Sequence, residues 1–141
     1  MVENLMITEN EVIGCVIYYL KSKGFVIESV CNTMQKGIDI IAQKDGSKLL
    51  IEAKGATTSK ESSRKGKTFS KNQVNNHISR AIFKALQMKE YEEDAIVGIA
   101  LPYNKNHLEI MKTVEKTLNS LGIIIIWCDG VSIEVYGKNK I

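Results

Sequence analysis

Two acidic residues and a lysine stand at a spacing that could bring them together at one metal site: Asp39 and, after twelve further residues, Glu52-Ala53-Lys54. Asp45-Gly46, between the two apolar segments that carry them, is a strong signal for a two-residue β-hairpin turn. With these two residues in the turn, Asp39 pairs directly with Glu52, and both side chains project from one face with Cβ atoms roughly 4.5–5.5 Å apart. Lys54, two residues beyond Glu52, shares that face.

Such a pair of carboxylates needs a cation nearby. Apolar residues dominate both faces of the predicted hairpin, so neither face is expected to be fully wet. Two close like charges repel, and one carboxyl tends to protonate unless a cation intervenes. A hard divalent cation with oxygen ligands resolves the conflict, and Mg²⁺ suits carboxylates, water and phosphate. The structural alternative is an ordinary Asp–Lys or Glu–Lys ion pair, but the shared face and the lysine favour a metal site.

The elements around the motif predict an α/β protein, a mixed β-sheet flanked by helices in the order αβββαβαββ. Capping boxes at Thr8-x-x-Glu11 and Ser70-x-x-Gln73 start the first two helices, and Asn104 caps a third that Gly122 ends. Strands are predicted at residues 25–31, 37–43, 48–54, 94–101, 123–127 and 131–135. The helical residues expected to face the core include Val74, Ile78, Ile82, Ala85 and Leu86 in the second helix and Met111, Val114, Leu118 and Leu121 in the third.

Composition describes an ordinary globular chain. Its 141 residues suit one domain over residues 1–141, and a net charge of +3 is compatible with a polyanionic partner. Residues 55–70 are polar and predict a mobile basic loop. Three cysteines without a C-x-x-C pair fit a reducing compartment. Without a signal-peptide pattern or an apolar run long enough to span a bilayer, we expect a cytoplasmic protein with no membrane partner.

The motif resembles that of the PD-(D/E)xK nuclease superfamily, which has the restriction-endonuclease-like fold. Gly37-Ile38-Asp39-Ile40, together with Glu11 on the preceding helix, resembles its Holliday-junction-resolvase-like and Mrr-like branches. The family's αβββαβ core corresponds to about residues 8–101 here. A proline frequently precedes the family's first acid, where this chain has Ile38. The motif is short, so the resemblance depends on its placement on adjacent strands after a glutamate-bearing helix.

The resemblance implies that Asp39 and Glu52 are ligands of Mg²⁺, which Mn²⁺ can replace, with the Ala53 carbonyl as a third ligand. Such an ion polarises the scissile phosphate and helps to generate hydroxide from bound water. Lys54 would position or deprotonate that water and offset charge developing on the phosphate oxygens. A salt bridge at the strand end is the structural alternative for Lys54.

Glu11 has two possible roles that the sequence does not separate. It flanks the apolar stripe of the first helix, so it could lean toward the sheet and complete a second metal site. As the third residue of a capping box it also has a sufficient structural role. Glu9 competes with it for the metal-binding role.

A polar line follows the second helix, formed by Gln73, His77, Arg80 and Lys84. Such a line is usually a solvated face, but this helix begins directly after the active-site strand and its loop. The Mrr-like branch carries a glutamine on this helix, so Gln73 is a candidate for orienting water or phosphate. His77 is expected to contact phosphate, to act as a proton shuttle or to make a simple polar contact, and Arg80 to contact nucleic acid.

The predicted loop is basic, with Lys60, Arg64, Lys65 and Lys67 against Glu61 alone. Beside the site, these four residues suit contacts to the phosphate backbone, which give affinity but little sequence information. The alternative is an ordinary solubilising loop.

These features together predict an Mg²⁺-dependent endodeoxyribonuclease that cleaves phosphodiester bonds in nucleic acid, with double-stranded DNA as the expected partner. The chain is too short for a separate recognition domain, so specificity would come from DNA structure, a homodimer or a partner protein. One alternative is a catalytically silent nucleic-acid-binding or assembly module of the same fold. Another is a hydrolase of a different phosphate ester, although no Gly-x-x-x-x-Gly-Lys loop is present.

Overall fold

A computed structural model describes residues 5–31, 37–57, 69–139 and 141. The elements in chain order are α1 Glu9–Ser22, β1 Val26–Val30, β2 Ile40–Lys44, β3 Ser47–Ala53, α2 Lys71–Tyr91, β4 Ile96–Pro102, α3 Lys105–Met111, α4 Glu115–Ser120, β5 Ile123–Cys128 and β6 Ile133–Tyr136. The strands form a six-stranded sheet in the order β1-β2-β3-β4-β5-β6. Strands β3, β4 and β5 are parallel, and the remaining neighbours are antiparallel. This is the mixed α/β sheet that the sequence predicts.

The β2–β3 hairpin has the predicted register. Asp45 and Gly46 form the turn with φ angles of 51° and 81°, and a positive φ at both central positions is what a type I′ turn requires. Lys44 pairs with Ser47, and the ladder continues to the pair Ile40–Ile51. Asp39 directly precedes this ladder, one residue before β2 begins.

Helices cover the sheet on both faces. One face packs under α1, whose buried residues include Val12 and Val16, and the other packs under α2, with Val74 and Ile78. The capping boxes Thr8–Glu11 and Ser70–Gln73 are present at the starts of these helices. Because a strand's side chains alternate between faces, Leu50 and Glu52 share the α2 face.

The predicted third helix is interrupted. Asn104 caps α3 as expected, but a turn at residues 112–114 separates α3 from α4. The Thr113 hydroxyl donates to the Ile110 carbonyl, and the Val114 amide bonds three residues back to Met111 rather than four. These bonds replace the regular four-residue helical pattern at the break. The inward assignment of Leu121 was therefore wrong, since this side chain is exposed.

Other differences are small. Leu86, predicted to face the core, is exposed on α2, where Ala81 and Met88 are buried instead. Strand β6 begins at Ile133 rather than at residue 131, and Val131 is almost fully exposed. Within the ranges that the structure describes, no helix has the length and apolar character needed to cross a membrane.

Candidate active site

The predicted acidic pair lies together at the end of β3. The Asp39 carboxyl is in contact with that of Glu52, and only 7% and 6% of these residues is exposed. Parallel pairing with β4 extends past the strand, because the Lys54 amide donates to the Ala100 carbonyl at 3.0 Å. This edge of the sheet therefore holds both acids and Lys54 in a fixed frame.

Backbone hydrogen bonds fix Asp39 although it lies outside the β2 ladder. Its Oδ2 atom accepts the Ala53 amide at 2.8 Å, and its carbonyl accepts the Cys31 amide at 2.9 Å. Ala53, the predicted carbonyl ligand, thus ties Asp39 to β3. The close spacing of the two carboxyls follows from this link between the strands.

The surroundings of Glu52 disfavour its charged form. Its Oε2 atom is 3.5 Å from Lys54 Nζ, and its Oε1 atom is 3.7 Å from Lys84 Nζ. Burial, followed by repulsion from Asp39, raises the pKa of Glu52 to about 7, although the two lysines oppose the change. Oε1 is buried and has no hydrogen-bond partner among the described residues. An oxygen that has lost water and found no donor is available to a cation.

These donors fit a magnesium-type ion better than a softer metal. Among residues 5–31, 37–57, 69–139 and 141, no three His, Cys, Asp or Glu side chains are grouped closely enough to enclose a metal. Mg²⁺ commonly uses one or two carboxylates and completes its shell with water and substrate phosphate. The unpartnered oxygen of Glu52 and the adjacent Asp39 match that preference, while a Zn²⁺ site needs nitrogen or sulfur ligands.

Lys54 lies where a lysine can serve both the acids and a substrate. Its side chain is 20% exposed, so the ammonium reaches the surface while it contacts Glu52. His77 on α2 lies close enough to Lys54 for the lysine charge to affect it. Burial, followed by the charges of Lys54 and Arg80, lowers the pKa of His77. The lowered pKa favours the neutral form of the imidazole.

The N-terminus of α1 approaches the site through Gly55. A Cβ atom at Gly55 would lie 2.2 Å from the Glu9 amide nitrogen, so only glycine permits this approach. Glu11 is exposed, and its Oε1 accepts the Thr8 amide at 3.0 Å in the capping box. The structure thus places Glu11 in its capping role, while the backbone of the half-buried Glu9 lies against the residue that follows Lys54.

The three site residues predicted on α2 differ in their surroundings. The Gln73 side chain accepts the Ser70 amide at 2.8 Å, so in this structure it serves the capping box. His77 packs edge-on against Phe69, with ring centroids 4.5 Å apart. Arg80 is exposed one turn further along the helix. His77 is thus the residue of these three whose pKa the charge of Lys54 affects.

The predicted basic loop lies mostly outside the described residues, and Lys60, Arg64, Lys65 and Lys67 are all in the segment 58–68. The residues that flank this segment are packed. Gly55, Ala56 and Thr57 are buried, and the Phe69 amide donates to the Ala56 carbonyl at 2.9 Å. Both ends of the basic segment therefore meet directly after Lys54.

Lys84 is the site residue that sequence reasoning missed. Besides its contact with Glu52, its ammonium donates to the Gly37 carbonyl, two residues before Asp39. In the sequence, Lys84 lies on the polar line of α2, and such a line is usually a solvated face. Its distance of eleven residues from Gln73, three helical turns, was the available signal.

No protein-family model and no curated protein sequence matches this chain. Two solved structures resemble it. An XisH family protein from Nostoc punctiforme is 16% identical, with a TM-score of 0.55 over 90% of this chain and 99% of that one. An fdxN element excision controlling factor protein from Anabaena variabilis is 19% identical, with a TM-score of 0.50 over 91% of this chain and 95% of that one. At these identities the likeness concerns the fold, and the chain has the mixed α/β, restriction-endonuclease-like fold.

Proposed function

We propose that this chain is a metal-dependent endonuclease of the PD-(D/E)xK type, acting on nucleic acid and in the first place on double-stranded DNA. The observation that carries the proposal is the buried contact between Asp39 and Glu52, with an unpartnered oxygen of Glu52 beside Lys54. A second carboxylate buried against Glu52 disfavours the charged form of Glu52, and a bound cation would offset that cost.

In this proposal Asp39 and Glu52 hold Mg²⁺ or Mn²⁺, with the Ala53 carbonyl as the third protein ligand. When bound, the ion supplies a polarised phosphate and a water of lowered pKa. Asp39 keeps its orientation through the Ala53 amide, so the ligand set is preorganised. Lys54 orients the attacking water and offsets negative charge on the phosphate oxygens.

Residues around the acids have supporting roles in the proposal. His77, neutral and beside Lys54, can accept a hydrogen bond from water or donate one to phosphate. Arg80 and the basic segment 58–68 contact the phosphate backbone, which gives affinity without reading sequence. Gln73 could orient phosphate only if it leaves the capping box, and Glu11 could ligate a second ion only if its cap opens.

The name of the Anabaena protein refers to control of an element's excision, which is compatible with nucleic acid as the substrate class. In this proposal a homodimer or a partner protein supplies the specificity.

A catalytically silent DNA-binding or assembly module is the second candidate function, and one observation favours it. Lys54 and Lys84 both contact Glu52, so the two acids and two lysines balance in charge without any metal. A protein that used this site only for structure would need nothing more. The neighbour described as a controlling factor, rather than as a nuclease, is compatible with that role.

A cleavage assay separates the two candidates. Supercoiled plasmid, single-stranded DNA and RNA are incubated with the full chain in Mg²⁺, Mn²⁺ or EDTA. Lys54→Ala and Asp39→Ala are tested beside Lys48→Ala, which removes a lysine from the same face of β3 at its other end, paired with Glu92. We expect metal-dependent nicking that Lys48→Ala retains and the other two variants lose. Binding without cleavage in every condition would favour the silent module, and cleavage that survives both site substitutions would refute the assigned site.

A further inference from the structure

Lys84 extends from α2 across to the two strands that hold the acids. Its ammonium lies 3.7 Å from Glu52 Oε1 and donates to the Gly37 carbonyl, which precedes Asp39 by two residues. Lys54 contacts the other oxygen of the same carboxylate. Glu52 therefore has one cation on each oxygen, one from its own strand and one from the helix above it.

The contact with Lys84 is an ion pair without a hydrogen bond. At 3.7 Å the two atoms are beyond the usual range for a charge-assisted hydrogen bond, and Oε1 is the buried oxygen that has no donor in the described residues. Lys84 thus compensates the charge of Glu52 without satisfying its hydrogen-bonding capacity. A divalent ion in direct coordination would do both.

The Lys84 side chain can leave. It is 34% exposed, against 20% for Lys54, and a lysine side chain on a helix surface has many accessible rotamers. Metal binding would also repel the Lys84 ammonium. With both acids ionised, the net charge of the four side chains is zero: Asp39, Glu52, Lys54 and Lys84. A divalent ion between the acids would raise that net charge to +2. Like charges in a partly buried site repel strongly.

We propose that Lys84 is a placeholder cation, which occupies the Glu52 side of the metal site in the metal-free protein and is displaced when a divalent ion binds. The inference rests on the proposed function, because it requires that Asp39 and Glu52 bind a metal. Lys84 is thereby a positioning residue that holds Glu52 and the strand before Asp39 in place until the ion arrives. On release its ammonium stays on the α2 face that carries His77 and Arg80, where it can bind a substrate phosphate.

If the Lys84 ammonium and a divalent ion compete for the Glu52 carboxylate, removing Lys84 should strengthen metal binding. Mn²⁺ is titrated into wild-type protein, Lys84→Gln and Lys48→Gln without nucleic acid, and free Mn²⁺ is followed by electron paramagnetic resonance. Lys48→Gln is the matched control, because it removes the same charge from another Lys–Glu pair on the same sheet face. We expect Lys84→Gln to bind Mn²⁺ about 3- to 10-fold more tightly than wild type, and Lys48→Gln to bind within about 2-fold of wild type.

A second readout follows the released ammonium. Duplex DNA binding is measured in Ca²⁺ over a range of salt concentrations. Loss of one phosphate contact in Lys84→Gln should reduce the slope of log affinity against log salt by about 1, whereas Lys48→Gln should leave the slope unchanged.

The outcomes distinguish the inference from the function beneath it. If wild-type protein binds no Mn²⁺, the metal site itself is wrong and the placeholder role fails with it. If wild type binds Mn²⁺ while Lys84→Gln binds it equally or more weakly, the proposed function stands and the exchange is refuted. Tighter binding by Lys48→Gln to the same degree would show a general charge effect and would also refute the exchange.

Discussion

Replacing Glu52 by glutamine should stabilise the metal-free protein at alkaline pH. The side chain keeps its size but can no longer ionise. Since folding raises the pKa of Glu52 from 4.5 to about 7, the folded state binds its proton more tightly than the unfolded chain does. Ionisation of Glu52 therefore opposes folding. The cost is absent below pH 4.5, grows between pH 4.5 and 7, and is complete above pH 7.

The size of the effect follows from the pKa change. One pKa unit corresponds to about 1.4 kcal/mol, so a rise from 4.5 to about 7 corresponds to about 3 kcal/mol as an upper value. Relaxation and water entry reduce such penalties in real proteins. We expect Glu52→Gln to raise the free energy of unfolding by about 1–3 kcal/mol at pH 8, and to change it little at pH 4.5.

Urea unfolding in EDTA, followed by the fluorescence of the buried Trp127, measures this difference. Glu109→Gln is the control, because pairing with Lys71 lowers the pKa of the exposed Glu109 and its loss should not stabilise the protein. A Glu52→Gln variant no more stable than wild type at pH 8 would refute the reasoning, as would an equal gain at pH 4.5 and pH 8. Mg²⁺ should stabilise wild type and leave Glu52→Gln unchanged.

Three further predictions concern other parts of the site and fold. Gly55→Ala should destabilise the protein by about 2 kcal/mol or more in urea unfolding, because its Cβ would lie 2.2 Å from the Glu9 amide nitrogen. The control Gly14→Ala, with open space around it, should stabilise α1 by about 0.5–1 kcal/mol, and equal effects of the two substitutions would contradict the close approach at Gly55. Burial lowers the pKa of His107 from 6.5 to about 4, so the contribution of His107 to stability is complete above pH 6.5 and falls by up to about 3 kcal/mol as the pH drops to 4. The difference in the free energy of unfolding between wild type and His107→Gln should follow this course, and a difference that does not change with pH would contradict it. Lys54→Met should lower the cleavage rate at least about 100-fold while duplex binding in Ca²⁺ changes little, and a parallel loss of binding would assign Lys54 to affinity alone.

The hairpin is the part of the site that the sequence predicted best, because its geometry is local. A two-residue turn at Asp45-Gly46 fixes the pairing from Lys44–Ser47 to Ile40–Ile51, and extending that register by one residue predicted the approach of Asp39 to Glu52. The capping boxes were readable for the same reason, since each depends on residues three positions apart.

Contacts that depend on how elements pack could not be read in this way. Whether Lys84 reaches Glu52 depends on the height and rotation of α2 over β3, which its own pattern does not specify. Glu11 and Gln73 each had two possible roles in the sequence, one in a capping box and one in the site, and in the structure a local capping hydrogen bond occupies each side chain. The break between α3 and α4 was missed because the apolar spacing of Met111, Val114 and Leu118 fits one continuous helix.

One diffraction measurement tests the central claim most directly: the anomalous scattering of Mn²⁺ in crystals of the full chain. The account predicts a single strong peak between the carboxyl groups of Asp39 and Glu52, within about 2.0–2.3 Å of an oxygen from each. The Asp39→Asn variant, in the same crystals, should lose most of that peak. A peak bound elsewhere, with none between these two side chains, would contradict the assignment of a catalytic metal site.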